Sequence, residues 1–147
     1  MKTISILFLS LCFLVAGCQS GTTTIDPVSK RIIKSWTVTL VREGNSVTFE
    51  VGGSNNIRPG YVNFTLNLSG GGTVSFTDFD GTRFSGQWEV VGDNRLILKN
   101  LSPEPTGTNG TIEFTISNFT DTSMTITRTT TSAKTGGTIN VYQMKGS

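Results

Sequence analysis

The two aspartates of the stretch TDFDG, at positions 77–81, are the residues whose types and spacing most readily suggest chemistry. An Asp-x-Asp-Gly pattern begins like a calcium-binding loop, but the later oxygen ligands of such a loop are missing. Asp-Gly is also a frequent pair in tight turns between strands. We therefore interpret Asp78 and Asp80 as turn residues and predict no metal site. An inward-facing Asp78 would need a partner, for which Arg83 and Arg128 are the candidates.

Other groups that could carry catalysis are scarce. The sequence contains no histidine, the side chain that most often serves as a base or metal ligand near neutral pH. Its two cysteines, Cys12 and Cys18, both belong to the N-terminal region, and no glycine-rich phosphate loop precedes a helix. We therefore predict that the protein is not an enzyme and uses no cofactor.

The N-terminal region is an apolar run over residues 4–16, preceded by the single positive charge of Lys2. As a helix this run would span about 20 Å at ~1.5 Å per residue. A bilayer core is about 30 Å thick, so the run is too short for a permanent membrane span. It is instead typical of a secretory signal.

The end of the run, Val15-Ala16-Gly17-Cys18, resembles the lipobox of bacterial lipoproteins. The resemblance implies cleavage before Cys18, a thioether lipid on its sulfur and acylation, for example by palmitate, of the new amino terminus. Residues 1–17 would then be a lipoprotein signal peptide and 18–29 a lipidated tether. The residue after Cys18 is not aspartate. In this respect the sequence resembles lipoproteins that are sorted to the periplasmic face of an outer membrane.

Residues 30–147 are long enough for one domain with its own core. Once the predicted signal peptide, which contains Lys2, is removed, the chain has 11 basic and 10 acidic residues. Its formal net charge is then +1. This balance predicts no basic face, and hence no nucleic-acid partner. Threonine and β-branched or aromatic residues dominate, and Gly, Asn, Asp and Ser separate them, so the composition is that of an all-β protein.

Period-2 alternation of apolar and polar residues predicts strands throughout the domain. The predicted strands cover 36–40, 47–51, 62–68, 74–77, 84–90, 96–98, 112–117, 124–127 and 139–144. A short helix is predicted over 27–34, with Asp26 as its N-cap and with Ile32 and Ile33 as its apolar contacts. Short polar connections favour pairing of neighbouring strands in sequence order.

The turn at 80–81 allows a test of register. A two-residue turn would place the apolar faces of its two strands on opposite sides of the sheet, because a one-residue slip turns every side chain over. A three-residue loop, or an equivalent bulge, restores agreement and puts Phe76 opposite Gly86. We therefore predict a loop of odd length.

An antiparallel up-and-down meander of eight or nine strands can close into a barrel, or alternatively fold as a β-sandwich. The chain resembles the lipocalin-like (calycin) group, in particular small lipoproteins of Bacteroidetes-type bacteria. The resemblance rests on Trp36 at the head of the first strand, the order of short strands, the segment GQWEV at 86–90 and the lipobox. It implies a lipocalin-like barrel.

In that group, an arginine from a late strand packs across the first-strand tryptophan. Arg128 is the candidate here, since it follows Met124 and Ile126 in phase and so faces inward. Three interpretations stay open for Arg128: a stack on Trp36, simple access to solvent near the strand end, or binding of a ligand carboxylate.

Two functions follow as predictions. In the first, the barrel binds a small apolar ligand. The residues that would line the barrel interior are Trp36, Phe49, Phe64, Phe76, Trp88, Phe114 and Arg128. In the second, the barrel is filled by its own side chains, and the long loops 52–60 and 102–109 contact a protein partner in the cell envelope, mainly through Ile57, Arg58 and Tyr61. In both, the lipid at Cys18 holds the protein to the membrane.

Overall fold

The computed structural model describes residues 25–147. The predicted signal segment 1–17 and the predicted lipidation site Cys18 lie outside the described residues. The nine strands are β1 Ser35–Glu43, β2 Ser46–Glu50, β3 Thr65–Leu68, β4 Thr73–Thr77, β5 Arg83–Val91, β6 Arg95–Ser102, β7 Ile112–Ser117, β8 Ser123–Arg128 and β9 Asn140–Gly146. The helical elements are the α-helix α1, Val28–Arg31, and two 3₁₀ helices, Pro59–Asn63 and Ala133–Thr135.

Eight of these strands close into an antiparallel barrel, and β2 is an extra strand. Closure occurs at β1, which pairs with β9 along most of its length. The other edge of β1 is shared, because β3 pairs with its first residues and β2 with its last. The predicted all-β antiparallel barrel is therefore confirmed, and the sandwich alternative is wrong. The expected pairing in sequence order fails only between β2 and β3.

Side chains alternate along most strands as the period-2 pattern predicts, with apolar residues inside and threonine, serine or charged residues outside. Strand β2 is an exception. Its pairing with β1 shifts between Val41 and Arg42, so the consecutive residues Thr48 and Phe49 are both buried while Val47 is exposed. The predicted strand start at Val62 is also wrong, because this residue lies exposed in the 3₁₀ helix Pro59–Asn63.

The β4–β5 connection has the predicted odd length. The Asp78 amide donates to the Thr82 carbonyl over 2.9 Å, which leaves three residues in the loop. The loop starts one residue earlier than expected, so Phe76 lies opposite Phe84, and the predicted Phe76–Gly86 pair is wrong. Gly86 is required for another reason: a Cβ atom there would lie 2.6 Å from the Lys99 carbonyl oxygen of β6.

Helix α1 closes one end of the barrel, which we call the helix end. It is shorter than predicted, and Pro27 rather than Asp26 occupies the N-cap position. The Val28 amide donates to Asp93 over 3.2 Å, and Arg31 pairs with Asp121 over 2.8 Å. Ile32 is buried as expected, whereas Ile33, the other predicted contact, is largely exposed. Among residues 25–147, no helix has the length and apolar character needed to cross a bilayer.

The opposite end of the barrel, which we call the loop end, carries the turn 78–82 and the loops 103–111 and 129–139. The 3₁₀ helix Pro59–Asn63 fills the gap in the wall between β2 and β3. It approaches the turn so closely that a Cβ atom at Gly60 would lie 2.3 Å from the Phe79 carbonyl oxygen. These segments position every residue of the candidate site.

Candidate functional site

The aromatic residues predicted to line the barrel interior are all buried inside it: Trp36, Phe49, Phe64, Phe76, Trp88 and Phe114. They contact one another and other core residues. The ring centroids of Phe64 and Phe76 are 5.1 Å apart, and those of Phe64 and Tyr142 are 4.8 Å apart. Such separations are those of packed aromatic pairs, so these rings act as core.

Tyr61 packs against two of these rings, Phe49 and Phe64, from the loop end. It extends inward from the 3₁₀ helix, and its ring centroid lies 4.9 Å from that of Phe79 and 6.1 Å from those of Phe49 and Tyr142. Its hydroxyl donates to Glu43 over 2.9 Å. Burial raises the pKa of Tyr61, so the hydroxyl keeps its proton. The prediction that Tyr61 is a loop contact for a partner is wrong, because its side chain is fully buried.

Arg58 completes this cluster from the loop side. Its Nε lies 2.6 Å from a carboxylate oxygen of Glu43, whose side chain is only 7% exposed. The guanidinium also lies over the Phe79 ring, 5.4 Å from its centroid. The hydrogen bond to Glu43 raises the pKa of Arg58. Arg58 thus has an internal structural role, whereas Ile57, the third predicted loop contact, is 70% exposed.

A cleft at the loop end contains the other predicted polar residue, Arg128. Pro105 and Phe79 lie at the cleft, and Phe76, Phe114 and Tyr142 form its apolar walls. Its interior has a volume of about 20 Å³. This is room for about one water molecule, since a hydrated cavity needs ~10–15 Å³.

Arg128 faces inward, as its phase with Ile126 predicts, but it is far from Trp36. Trp36 pairs with Gly146, and Thr127 pairs with Val141, five residues away along β9. At ~3.4 Å per residue this is a separation of about 17 Å, so a stack of Arg128 on Trp36 is wrong. The cation over the Trp36 ring is instead Lys34, 5.5 Å from its centroid.

The interpretation of Arg128 as simply solvated is also incomplete, because its Nε is buried. Among the described residues, this atom has no hydrogen-bond partner. Asp78, a predicted partner of Arg128 or Arg83, is bound elsewhere: it lies 3.1 Å from Lys134 and accepts from the Phe79 amide over 2.8 Å. Asp78 therefore holds the loop 129–139 against the turn 78–82.

Lys134 is shared by both aspartates of the turn. It lies 2.7 Å from Asp80 and over the Phe84 ring, 5.3 Å from its centroid. Partial burial works to raise the pKa of Asp80, but hydrogen bonds from Lys134 and from the Thr82 amide outweigh it and lower this pKa to about 2. Asp78 and Asp80 thus both belong to the turn, as predicted, and both carboxylates pair with Lys134.

Asn140 anchors a buried polar network beneath the same loop. Its side-chain amide donates to the Tyr142 hydroxyl over 3.2 Å, and its carbonyl oxygen accepts from Thr138 over 2.7 Å and from Thr135 over 3.1 Å. Burial raises the pKa of Tyr142, which therefore stays neutral. Every polar group of this network has a partner, so it rigidifies the loop end.

Sequence reasoning missed three residues of this site: Lys134, Asn140 and Tyr142. Tyr142 shares the inward phase of Met144 on β9, so its burial could have been found from the alternation. Lys134 and Asn140 carry no local signal, because their partners are far away in sequence.

Among residues 25–147, no group of three or more His, Cys, Asp or Glu side chains lies together as metal ligands would. Comparisons with protein-family models, with curated proteins and with solved structures find no match to this chain.

Proposed function

We propose that this protein is a lipoprotein of the bacterial cell envelope, anchored through Cys18 to the periplasmic face of an outer membrane. Its lipocalin-like barrel acts as a rigid, filled scaffold that presents loops to a protein partner. The observation that carries this proposal is the position of Tyr61, which is fully buried inside the barrel and packs against Phe79 at the loop end. The role is one of binding and not of catalysis.

The packing of the interior favours this function over transport of an apolar ligand. An eight-stranded barrel either holds one small ligand or is filled by its own side chains. Here the aromatic side chains contact each other, and the cleft at the loop end encloses about 20 Å³. A drug-sized ligand needs roughly 300 Å³ or more. Binding of an apolar ligand inside the barrel stays a prediction without support from the packing.

The direction of the chain supports an orientation on the membrane. Residues 25–27 lead into α1 at the helix end, so a tether from Cys18 would hold this end toward the bilayer. The loop end would then point away from the membrane. The exposed surface offered to a partner includes Ile57 in the segment 51–58 and Thr106 in the loop 103–111.

Lipidation is tested by expressing the full chain and its Cys18→Ala variant in a bacterial host fed with labelled palmitate. We expect label and membrane fractionation for the parent chain, and neither for the variant. Equal behaviour of the two chains would contradict the anchor.

The partner surface is tested by placing a photo-crosslinking amino acid at Ile57 or at Thr106 in cells. The matched control is Asn94, an exposed residue of the helix end. We expect a discrete crosslinked protein from the first two positions and none from Asn94. Crosslinks of equal strength from Asn94 would contradict the proposed orientation.

A further inference from the structure

Arg128 is a charged residue of the loop end with a buried donor that no described residue satisfies. Its Nε is buried and makes no hydrogen bond among the described residues. A buried donor on a charged group is costly unless an acceptor is present, and such donors in native proteins are nearly always satisfied. The buried Nε of Arg128 therefore needs a hydrogen-bond acceptor from outside the chain.

The neighbouring cation in the same cleft, Lys134, has the charged partners that Arg128 lacks within residues 25–147. Lys134 contacts two carboxylates, of Asp78 and Asp80, and an aromatic face. These two aspartates are held in place by the amides of Phe79 and Thr82. They are thus bound to the turn and to Lys134, and neither forms an ion pair with Arg128 among the described residues.

The shape of the cleft limits what can reach Arg128. Its interior volume of about 20 Å³ admits only one small group at the end of a ligand, and its lining combines apolar Phe76 and Phe114 with the charged side chains of Asp78 and Lys134. Pro105 and Thr106 lie at the same cleft and would contact the rest of the ligand outside it.

We infer that the cleft at the loop end is a binding site for a carboxylate, which Arg128 holds through its guanidinium. The planar fork of arginine matches a carboxylate in two parallel hydrogen bonds. A phosphate group carries ~1.5–2 negative charges at neutral pH, and the two aspartates of the turn would repel it more strongly than a monoanion. This site goes beyond the proposed function, because it exists in the folded barrel whether or not Cys18 is lipidated.

The carboxylate has two possible sources, a free small carboxylic acid or the C-terminal carboxylate of a peptide. The test uses the full chain as purified from the host, labelled with ¹⁵N, and follows the Nε–H signal of Arg128 by NMR. The probes are acetate, butyrate and a short alanine peptide with a free C-terminus. The same peptide with an amidated C-terminus lacks the charge and serves as the ligand control.

We expect the Arg128 signal to shift with saturation on addition of the charged probes and to stay unchanged with the amidated peptide. Tighter binding of the free peptide than of butyrate assigns the site to protein C-termini, and the reverse order assigns it to small acids. Arg128→Gln lacks this Nε–H, so its binding is followed through the backbone amide signals of Phe114 and Tyr142 in the same cleft. It should bind about tenfold more weakly or worse, since a charge-assisted hydrogen bond is lost. Arg83→Gln, an exposed arginine of the same barrel end, is the matched control and should bind as the parent does.

Three results would overturn the inference: no saturable shift with any charged probe, equal binding by the Arg128→Gln variant, or equal binding of the amidated peptide. The first result would mean that water alone satisfies Nε. Neither this outcome nor the opposite one depends on the lipid label or the crosslinks, so the two proposals fail independently.

Discussion

Tyr61 donates a hydrogen bond to Glu43 over 2.9 Å inside the barrel, and this contact joins the 3₁₀ helix Pro59–Asn63 to the end of β1. Arg58 binds the same carboxylate from the solvent side. The wall between β2 and β3 is closed by this cluster of three side chains, because the two strands do not pair there. The filled barrel that we propose as a scaffold depends on it.

Tyr61→Ala should destabilise the fold strongly, because it leaves a cavity where a fully buried ring packs against four other aromatic rings. Truncation of a buried aromatic residue typically costs about 3–5 kcal/mol. Tyr61→Phe keeps the ring but removes one donor to the buried Glu43, which should cost about 1–3 kcal/mol. Urea unfolding gives both values.

The matched control for Tyr61 is Val62→Ala, a change at the next residue, which is 71% exposed. It should alter the free energy of unfolding by no more than about 0.5 kcal/mol. A Tyr61→Ala variant as stable as this control would contradict the role of Tyr61 as a core residue.

Gly60→Ala should also destabilise the protein, because the new methyl group would meet the Phe79 carbonyl oxygen at 2.3 Å. The obstacle is backbone, so the 3₁₀ helix or the turn must move, and overpacking of this kind costs about 1–3 kcal/mol. Gly70→Ala is the control, since nothing lies within 4 Å of its new methyl group. Thermal unfolding of the two variants should differ clearly; equal melting temperatures would contradict the close approach at Gly60.

Stability should fall in acid through Asp80. The folded-state pKa of about 2 lies below its ordinary value of 3.8, so Asp80 stabilises the fold above pH 3.8 and loses this effect as the pH falls toward 2. Asp80→Asn should lower the free energy of unfolding at neutral pH and make it less sensitive to pH between these two values. Urea titrations at several pH values measure both; parallel curves for variant and parent would show that Asp80 is not the titrating group.

Asn56 protects the outer edge of β2. Its side-chain amide accepts from the Glu50 backbone amide over 2.8 Å and donates to the Glu50 carbonyl over 3.0 Å, as a neighbouring strand would. An unprotected edge invites pairing with another chain. Asn56→Ala should therefore increase self-association in size-exclusion chromatography, whereas Asn55→Ala, at an exposed neighbour outside these bonds, should not. A monomeric Asn56→Ala variant at high concentration would argue against edge protection.

Much of the architecture could be predicted from local patterns. Alternation with a period of two is a property of each strand by itself, so it located all nine strands and the odd length of the β4–β5 loop. The same alternation placed Arg128 on the inner face, and the Asp-Gly pair indicated the turn between β4 and β5.

Tertiary structure decided the rest, because the deciding contacts join residues that are distant in the chain. Strand β3 pairs with β1 and not with β2, and the 3₁₀ helix Pro59–Asn63 between them turns Tyr61 inward from a segment that the sequence marks as a loop. Lys134 pairs with Asp78, for which local reasoning offered Arg83 or Arg128, and also with Asp80. Strand periodicity reports which side of a sheet a residue occupies, but not how far along the barrel it lies. For that reason the sequence determined that Arg128 faces inward, and only the closed barrel placed it in the cleft of the loop end, more than about 17 Å along the strands from Trp36.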